Sequence, residues 1–207
     1  MPVHPDNTET RERAGRLVKA GGVVIFRTDT FYGVGADPFN VDAVASVNEL
    51  KGRDGKPILC LINEATNAAR LIANRTRAFD LLAAAHWPGA LTLVAEARAE
   101  LPELLTAGTG TVGIRLPDDR EARAVVQACG GVLTATSANP AGQAPARNAA
   151  EAARYFPDLF IIGGGDARTD LPSTVVDVST ERPRLIREGV VTRAEIEKTL
   201  RAEGIEL

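Results

Sequence analysis

Short apolar runs alternate with alanine-rich amphipathic segments along most of the chain. The runs GVVIF, PILCLI, ALTLVAEA, TVGIRL, GVLTAT, LFIIGG and TVVDV have the length and β-branched content of buried strands. The segments between them repeat apolar residues at helical spacing and begin at capping residues, as VDAVASVNELK does after Asn40. This alternation predicts one layered α/β domain over residues 1–207.

The two ends of the chain predict helices with clear caps. DNTETRERAGRLVKAGG can begin at Asp6 or Asn7, and TRAEIEKTLRAEG carries Thr192 and Glu195 at capping-box spacing. Between Leu159 and Val178 two strands follow each other without a helix, which favours a mixed sheet. The longest irregular stretch, SANPAGQAPAR at 137–147, is typical of a functional or mobile loop.

Composition narrows the class of protein. Hydrophobic residues make up 44% but aromatics only 4%, so the core must consist mainly of Ala, Val, Leu and Ile. The net charge of −3 excludes a surface that is basic overall, so any anion site must be a local group of cations. Two cysteines and two isolated histidines predict neither a disulfide framework nor a zinc site, with Cys60 expected to be buried. The polar N-terminus and the short apolar runs predict a cytoplasmic protein without a membrane span.

The segment RTDTFYGVGAD, which follows a predicted strand, allows two interpretations. Gly33 and Gly35 could supply positive φ in a strand-to-loop turn. Alternatively, the glycines form a crease that admits a small ligand, and Thr28 and Thr30 offer hydroxyl groups. The segment matches neither the dinucleotide fingerprint nor the P-loop.

The segment LKGRDGKPIL places Lys51, Arg53 and Lys56 around two glycines. Cations at a helix C-terminus favour the helix dipole, which accounts for Lys51 alone. Three cations beside glycines also suit a polyphosphate, since Arg binds two phosphate oxygens at once and Lys acts as a point charge.

Polar residues also follow three other strands. Arg115 ends TVGIRL, where it could lie on an edge strand paired with Asp118 or Asp119, or hold a carboxylate in a cleft. Ser173 and Arg187 lie beside apolar runs, and TATSANPAG reads as an Asn-Pro turn or a polar strand end. Because ligands of open α/β sheets gather at such ends, the pattern indicates a ligand rich in anionic oxygens, such as a nucleotide with a carboxylate-bearing partner.

The ordered set TDTFYGVGAD, KGR, WPGALTLV, TVGIRLP, TSANPAG and STVVDV resembles the YrdC/TsaC family of L-threonylcarbamoyl-AMP synthases, over roughly Gly21 to Val190. The resemblance implies a single-domain YrdC-like α/β fold, in which helices flank a twisted mixed sheet around a cationic cavity.

It also implies the reaction of L-threonine, bicarbonate or CO2, and ATP to threonylcarbamoyl-adenylate and pyrophosphate. A threonylcarbamoyl transferase would then use the product to modify an adenosine of tRNA, and binding of double-stranded RNA is expected. Mg²⁺ is expected with the triphosphate, without an assigned protein ligand.

The resemblance further implies two sets of ligands, while no catalytic residue is assigned. The threonine ligands are Thr30, Arg115, the backbone of Ala135, and Ser173. The ATP ligands are Lys51, Arg53, Lys56, Thr111, Ser137, Asn139, Pro145 and Arg187.

Three positions depart from the family pattern. Leu61 stands where some members have a His that contacts threonine, and Arg27 stands where Pro is usual. Glu188 could pair with Arg187 and weaken phosphate binding.

Two other functions stay open: a related carbamoyl-adenylate-forming enzyme, and a non-catalytic RNA-binding module. Arg115 with Ser173 favours an amino-acid substrate, and the charge of −3 without stacking aromatics near the cations disfavours RNA.

Overall fold

Helices and strands follow one another along a mixed α/β chain in the computed structural model, which describes residues 3–52 and 55–207. The strands are β1 (Val3–Pro5), β2 (Val24–Arg27), β3 (Tyr32–Gly35), β4 (Cys60–Ile62), β5 (Leu91–Glu96), β6 (Thr111–Arg115), β7 (Val132–Thr134), β8 (Thr136–Ser137), β9 (Phe160–Gly163), β10 (Thr174–Asp177) and β11 (Arg184–Arg187). The helices are α1 (Thr8–Lys19), α2 (Val41–Lys51), α3 (Arg77–His86), α4 (Glu103–Thr106), α5 (Arg120–Ala128), α6 (Ala149–Tyr155) and α7 (Arg193–Arg201), with a 3-10 helix at Ala65–Arg70.

The strands divide between two sheets, where the sequence predicted one. A five-stranded sheet has the order β1-β9-β2-β3-β8, and a six-stranded sheet has the order β11-β10-β5-β6-β4-β7. Each contains parallel and antiparallel neighbours, so the prediction of mixed pairing is confirmed. Strands β9 and β10 follow each other without a helix, as expected, but they belong to different sheets.

One segment of the chain joins the two sheets. β7 pairs with β4 in the six-stranded sheet, and β8, after Ala135 alone, pairs with β3 in the other. Thr134, the last residue of β7, is fully buried and forms two hydrogen bonds with Ala36, the residue that follows β3. Its N–H donates to the Ala36 carbonyl at 2.9 Å, and its hydroxyl accepts from the Ala36 N–H at 2.8 Å. The relative position of the sheets is therefore fixed by backbone-directed bonds.

The helix ends follow the predicted capping chemistry. The Asn7 side chain accepts from Thr10 N–H and caps α1, which decides between Asp6 and Asn7. Asn40 caps α2 as expected, and that helix ends at Gly52 with a left-handed φ of 57°. Thr192 and Glu195 form both bonds of the predicted capping box.

Helices cover both sheets and complete an aliphatic core. α1 and α5 pack against one face of the five-stranded sheet, while α3 packs against β5 and α7. Alanine, valine, leucine and isoleucine dominate the buried set, as the composition predicted, and Cys60 is buried among them. Within the described residues no helix is long and apolar enough to cross a membrane.

Strand β3 replaces the turn that its glycines suggested. Gly33 and Gly35 both lie in the ladder with β2, and neither has the positive φ that the turn interpretation required. Gly35 is instead needed for packing, because a Cβ there would lie 2.8 Å from both Leu133 Cδ2 and Phe26 Cε1. β1, α4 and α6 were also not anticipated, since each is short and lacks a strong apolar period.

We expect Gly35→Ala to lower the free energy of unfolding by about 1–3 kcal/mol, since the added methyl group overpacks the contact with Leu133 and Phe26. Gly33→Ala is the matched control, because a Cβ there meets its nearest atom at an ordinary 3.7 Å. Urea denaturation of both variants tests the prediction. Equal stability of the two would contradict a packing role for Gly35.

Candidate functional site

A cavity of about 930 Å³ opens on one face of the six-stranded sheet. Its floor follows the strand period of two, in which alternate side chains point to opposite faces. The floor residues on the strands and their flanks are Leu59, Leu61, Thr92, Val94, Thr111, Gly113, Arg115, Ser173, Val175, Asp177, Arg184, Ile186 and Arg187. Their neighbours Cys60, Leu93, Ile114 and Val176 belong to the hydrophobic core. The sheet thus separates the core from the cavity.

The remaining wall comes from the five-stranded sheet and from two loops. The β2–β3 hairpin contributes residues 28 and 30–33, and the β8 region contributes residues 135–137. Gly33 belongs to this wall, in agreement with the interpretation of the hairpin as a crease. Pro145 and Pro172 lie at the loops that border it.

All four predicted threonine ligands, Thr30, Arg115, Ala135 and Ser173, line this cavity. Arg115 ends β6, which is an interior strand, so the edge-strand alternative is wrong, and Arg115 lies at a cavity as the other alternative predicted. Its ion-pair partner is also neither Asp118 nor Asp119. The Asp29 carboxylate lies 2.7 Å from Arg115 Nη2.

The Arg115 guanidinium is 4% exposed and is held by the β2–β3 hairpin. Nη1 donates to Thr30 Oγ1 at 3.2 Å, and Nη2 donates to Asp29 Oδ1 and, at 3.3 Å, to Thr28 Oγ1. Nε is buried without a hydrogen-bond partner among the described residues. Burial lowers the pKa of Arg115; the Asp29 carboxylate opposes this shift, and Arg187 adds to it. A buried, unsatisfied N–H donor is a strong position for an incoming acceptor.

Ser173 links Arg187 to the floor of the cavity. Its hydroxyl lies 2.9 Å from Thr92 Oγ1, and its carbonyl accepts from Arg187 Nη2 at 2.8 Å and from Nε at 3.2 Å. Glu188 accepts from the Arg193 N–H at 2.7 Å, so its expected pairing with Arg187 is wrong. Partial burial lowers the pKa of Arg187.

The predicted ATP ligands divide into two groups. Thr111, Ser137, Pro145 and Arg187 line the cavity. Lys51, Lys56 and Asn139 are not among the described residues that line it, and Arg53 lies outside the described residues. The structure therefore brings half of the predicted set to one wall.

Lys51 is turned toward the loop that begins at Ser137. Only 3% of Lys51 is exposed, and its Nζ donates to the carbonyls of Ser137 and Asn139 and, at 3.0 Å, to Asn139 Oδ1. The Lys51 carbonyl accepts from the Ala141 N–H at 3.0 Å. Asn139 donates its amide group to Gln143 O at 2.7 Å. This arrangement fixes the Asn-Pro turn and with it the position of Ser137 on the wall.

The charges on the cavity wall are mixed, with an excess of positive charge. Arg115, Arg184 and Arg187 line it together with Asp170 and Asp177. Asp177 pairs with Arg184 at 3.2 Å, and Asp170 pairs with Arg147 at the rim. Among residues 3–52 and 55–207 no group of His, Cys, Asp and Glu could hold a metal ion.

Apolar residues close the part of the floor where some relatives of the predicted family carry a His. Leu61 is fully buried and lines the cavity together with Leu59 and Val94. This surface offers van der Waals contact and no hydrogen bond.

Two residues of the site carry a role that the sequence did not assign to them. The sequence assigned no role to Asp29, and Thr92 is only part of the apolar run ALTLVAEA. The available signal for Asp29 was its position directly after a buried strand between two threonines. Thr92 carried no signal, because its contact with Ser173 joins positions 81 residues apart.

Comparisons with known proteins agree on one family. The Sua5/YciO/YrdC family model, described as "Telomere recombination", matches residues 16–189. The threonylcarbamoyl-AMP synthase of Halorhodospira halophila is 39% identical over 144 residues, which are 69% of this chain and 75% of that protein. The enzyme of the same name from Bacillus subtilis is 34% identical over 193 residues, 91% of this chain and 56% of that one. The chain thus spans little more than half the length of the B. subtilis relative.

Solved structures show the same fold. Sua5 of Pyrococcus abyssi, crystallised with L-threonine, matches with a TM-score of 0.88 at 32% identity, over 93% of this chain and 57% of that one. YciO of Escherichia coli matches with a TM-score of 0.79 at 26% identity, over 91% and 94% of the two chains. HypF in its phosphate- and nucleotide-bound form, 16% identical with a TM-score of 0.75, covers 87% of this chain and 29% of its own, and shows the shared fold alone.

We expect Lys51→Met to lower the free energy of unfolding by about 1–3 kcal/mol, because it leaves the carbonyls of Ser137 and Asn139 without their donor. The control is Lys56→Met, which changes an exposed lysine beside the same helix end. A surface substitution of this kind should stay within about 0.5 kcal/mol of the parent. Chemical denaturation measures both; a Lys51→Met variant as stable as the parent would contradict the anchoring role.

Proposed function

The chain belongs to the Sua5/YciO/YrdC family, and on this premise we propose that it is an L-threonylcarbamoyladenylate synthase, a nucleotidyltransferase that supplies the modification of tRNA. Its substrates would be L-threonine, bicarbonate or CO2, and ATP, and its products threonylcarbamoyl-adenylate and pyrophosphate. Relatives that carry the name threonylcarbamoyl-AMP synthase, and the threonine complex of P. abyssi Sua5, support the proposal.

The observation that carries the proposal is the Arg115 guanidinium, which lines the cavity and whose buried Nε–H has no hydrogen-bond partner among the described residues. A guanidinium edge suits a carboxylate, because its N–H groups match the two carboxylate oxygens. Thr30 and Ser173 lie on the same wall, and their hydroxyls can meet the rest of an amino acid. Leu61 would present an apolar surface to the bound amino acid and would form no hydrogen bond with it.

The nucleotide would occupy the side of the cavity formed by Thr111, Ser137, Pro145 and Arg187. Arg187 is held by the carbonyl of Ser173, a proposed threonine ligand, and therefore adjoins the proposed threonine position. We also propose Arg53 as a phosphate ligand on its sequence position. Lys51, Lys56 and Asn139 would join the nucleotide contacts only if a ligand draws them to the cavity. The present contacts of Lys51 and Asn139 support a role in shaping its wall.

The reaction would proceed in two steps. The threonine amine attacks CO2 to form a carbamate and loses a proton. A carbamate oxygen then attacks the α-phosphorus of ATP, and the bond to the β-phosphate oxygen breaks to release pyrophosphate. The cavity residues would bind and orient the reactants and neutralise charge on the oxygens, so that catalysis rests on positioning and electrostatics.

Mg²⁺ would enter with the triphosphate and neutralise part of its charge. The acidic residues of the wall, Asp170 and Asp177, are each paired with an arginine, which favours coordination by phosphate oxygens and water. A threonylcarbamoyl transferase and tRNA are proposed as downstream partners.

The deciding experiment follows pyrophosphate release in the presence of ATP, Mg²⁺, threonine and bicarbonate. We expect release that requires threonine, bicarbonate and ATP together. Release without threonine would replace the proposal with a related carbamoyl-adenylate-forming enzyme. Absence of turnover together with tight binding of double-stranded RNA would favour an RNA-binding module.

We expect Arg115→Lys to raise the threonine KM by the equivalent of about 1.5–3 kcal/mol, since an ammonium cannot reproduce the planar fork of the guanidinium. The ATP KM should change little. Arg184→Lys is the control, because Arg184 lies on the same wall but is paired with Asp177. Calorimetric titration with threonine checks the result, and an unaltered affinity in Arg115→Lys would remove Arg115 from the threonine site.

A further inference from the structure

We propose that Asp29 is a positioning residue, which fixes the orientation of the Arg115 guanidinium at the cavity so that it can bind the carboxylate of the amino-acid substrate. The proposal rests on the proposed function and extends it to a residue that does not itself line the cavity. Asp29 lies between Thr28 and Thr30 directly after β2, and it is 9% exposed. Its Oδ1 accepts from Arg115 Nη2 at 2.7 Å.

The hydrogen bonds around Arg115 account for the orientation of its guanidinium. Thr28 Oγ1 donates its single proton to the Phe31 carbonyl at 2.7 Å, so it can only accept from Arg115. Thr30 Oγ1 accepts from Nη1. The hairpin therefore engages both terminal nitrogens and leaves the Nε–H unbonded. Within the part of the chain that the structure describes, Asp29 is the one charged partner of Arg115.

Asp29 is itself held in place at its second oxygen. Oδ2 accepts from the Asp118 N–H at 3.2 Å, three residues after Arg115 ends its strand. The carboxylate thus bridges the β2–β3 hairpin and the segment that follows β6. With both oxygens engaged, Asp29 cannot turn toward a ligand, and Arg115 cannot rotate without breaking its bond to it.

Asp29 also balances the positive charge of Arg115. A guanidinium buried without a counter-charge is strongly destabilising, and Arg187 adds a like charge nearby. Asp29 supplies that counter-charge before the substrate arrives, through its bond to Nη2. The substrate carboxylate then meets a cation that is already oriented, which reduces the ordering that binding requires.

The test uses Asp29→Asn in the full chain. Asn keeps the shape of the side chain, but it removes the charge and leaves one carbonyl oxygen for two donors. We expect the threonine KM for pyrophosphate release to rise at least about ten-fold, the value of a charged hydrogen bond, with the ATP KM within about two-fold of the parent. A residue that only stabilises the fold would lower activity without this split between the two substrates.

Asp119→Asn is the matched control. Asp119 is also a buried acid, 2.9 Å from the guanidinium of Arg27, and it also accepts from a backbone N–H, that of Ala122. Asn is as good a helix cap as Asp, so α5 should persist. We expect this variant to lose thermal stability while its threonine KM stays that of the parent.

A second variant covers the case in which Asp29→Asn does not fold. Asp29→Glu keeps the counter-charge of the buried guanidinium but moves the carboxylate by one methylene group. We expect a folded protein whose threonine KM is raised on the order of ten-fold, because small displacements of a binding group are costly. A threonine KM within two-fold of the parent in either folded Asp29 variant would overturn the proposal. A parent protein that releases no pyrophosphate with threonine would instead overturn the proposed function.

Discussion

The pair of hydrogen bonds between Thr134 and Ala36 is the constraint on which the arrangement of the two sheets depends. Both sheets are mixed, and each could twist independently of the other. Because the chain passes from β7 to β8 through Ala135 alone, the strands of the two sheets lie next to each other there. The exchange at 2.8 and 2.9 Å fastens that passage to the end of β3. The β2–β3 hairpin consequently stands over the floor of the cavity, where its threonines reach Arg115.

Two buried cations illustrate how the same requirement leads to opposite structural roles. Lys51 and Arg115 are both almost inaccessible to water, and a buried charge must find acceptors. The acceptors of Lys51 are carbonyls of a loop, and the ammonium group holds that loop in place. Arg115 finds acceptors at its terminal nitrogens, and its buried Nε–H has no partner among the described residues. Position in a sequence motif does not distinguish these outcomes, because the difference lies in which acceptors the fold brings near.

The sequence predicted the fold class, the main helices and strands, and the presence at one site of Thr30, Arg115, Ala135 and Ser173, which line the cavity. These features depend on local periodicity and on a recognisable order of motifs. It failed where distant contacts decide. The partner of Arg115 is 86 residues away in Asp29, whereas Asp118 and Asp119 were nearer in sequence. Of the two interpretations of Gly33 and Gly35, the turn is wrong, because both lie in β3, and a Cβ at Gly35 would collide with Leu133. Local propensity cannot anticipate either result.

The alternation along the six-stranded sheet has a consequence for how such a protein can diversify. Consecutive residues such as Val94 and Ala95 serve different purposes, since one side chain faces the ligand space and the other the interior. Substitutions at the first kind of position can retune selectivity with little effect on folding, and substitutions at the second kind do the reverse. An insertion of a single residue would exchange the two sets and ruin both. In proteins with this fold, replacements are therefore expected at every other strand position, and changes of length are expected in the loops.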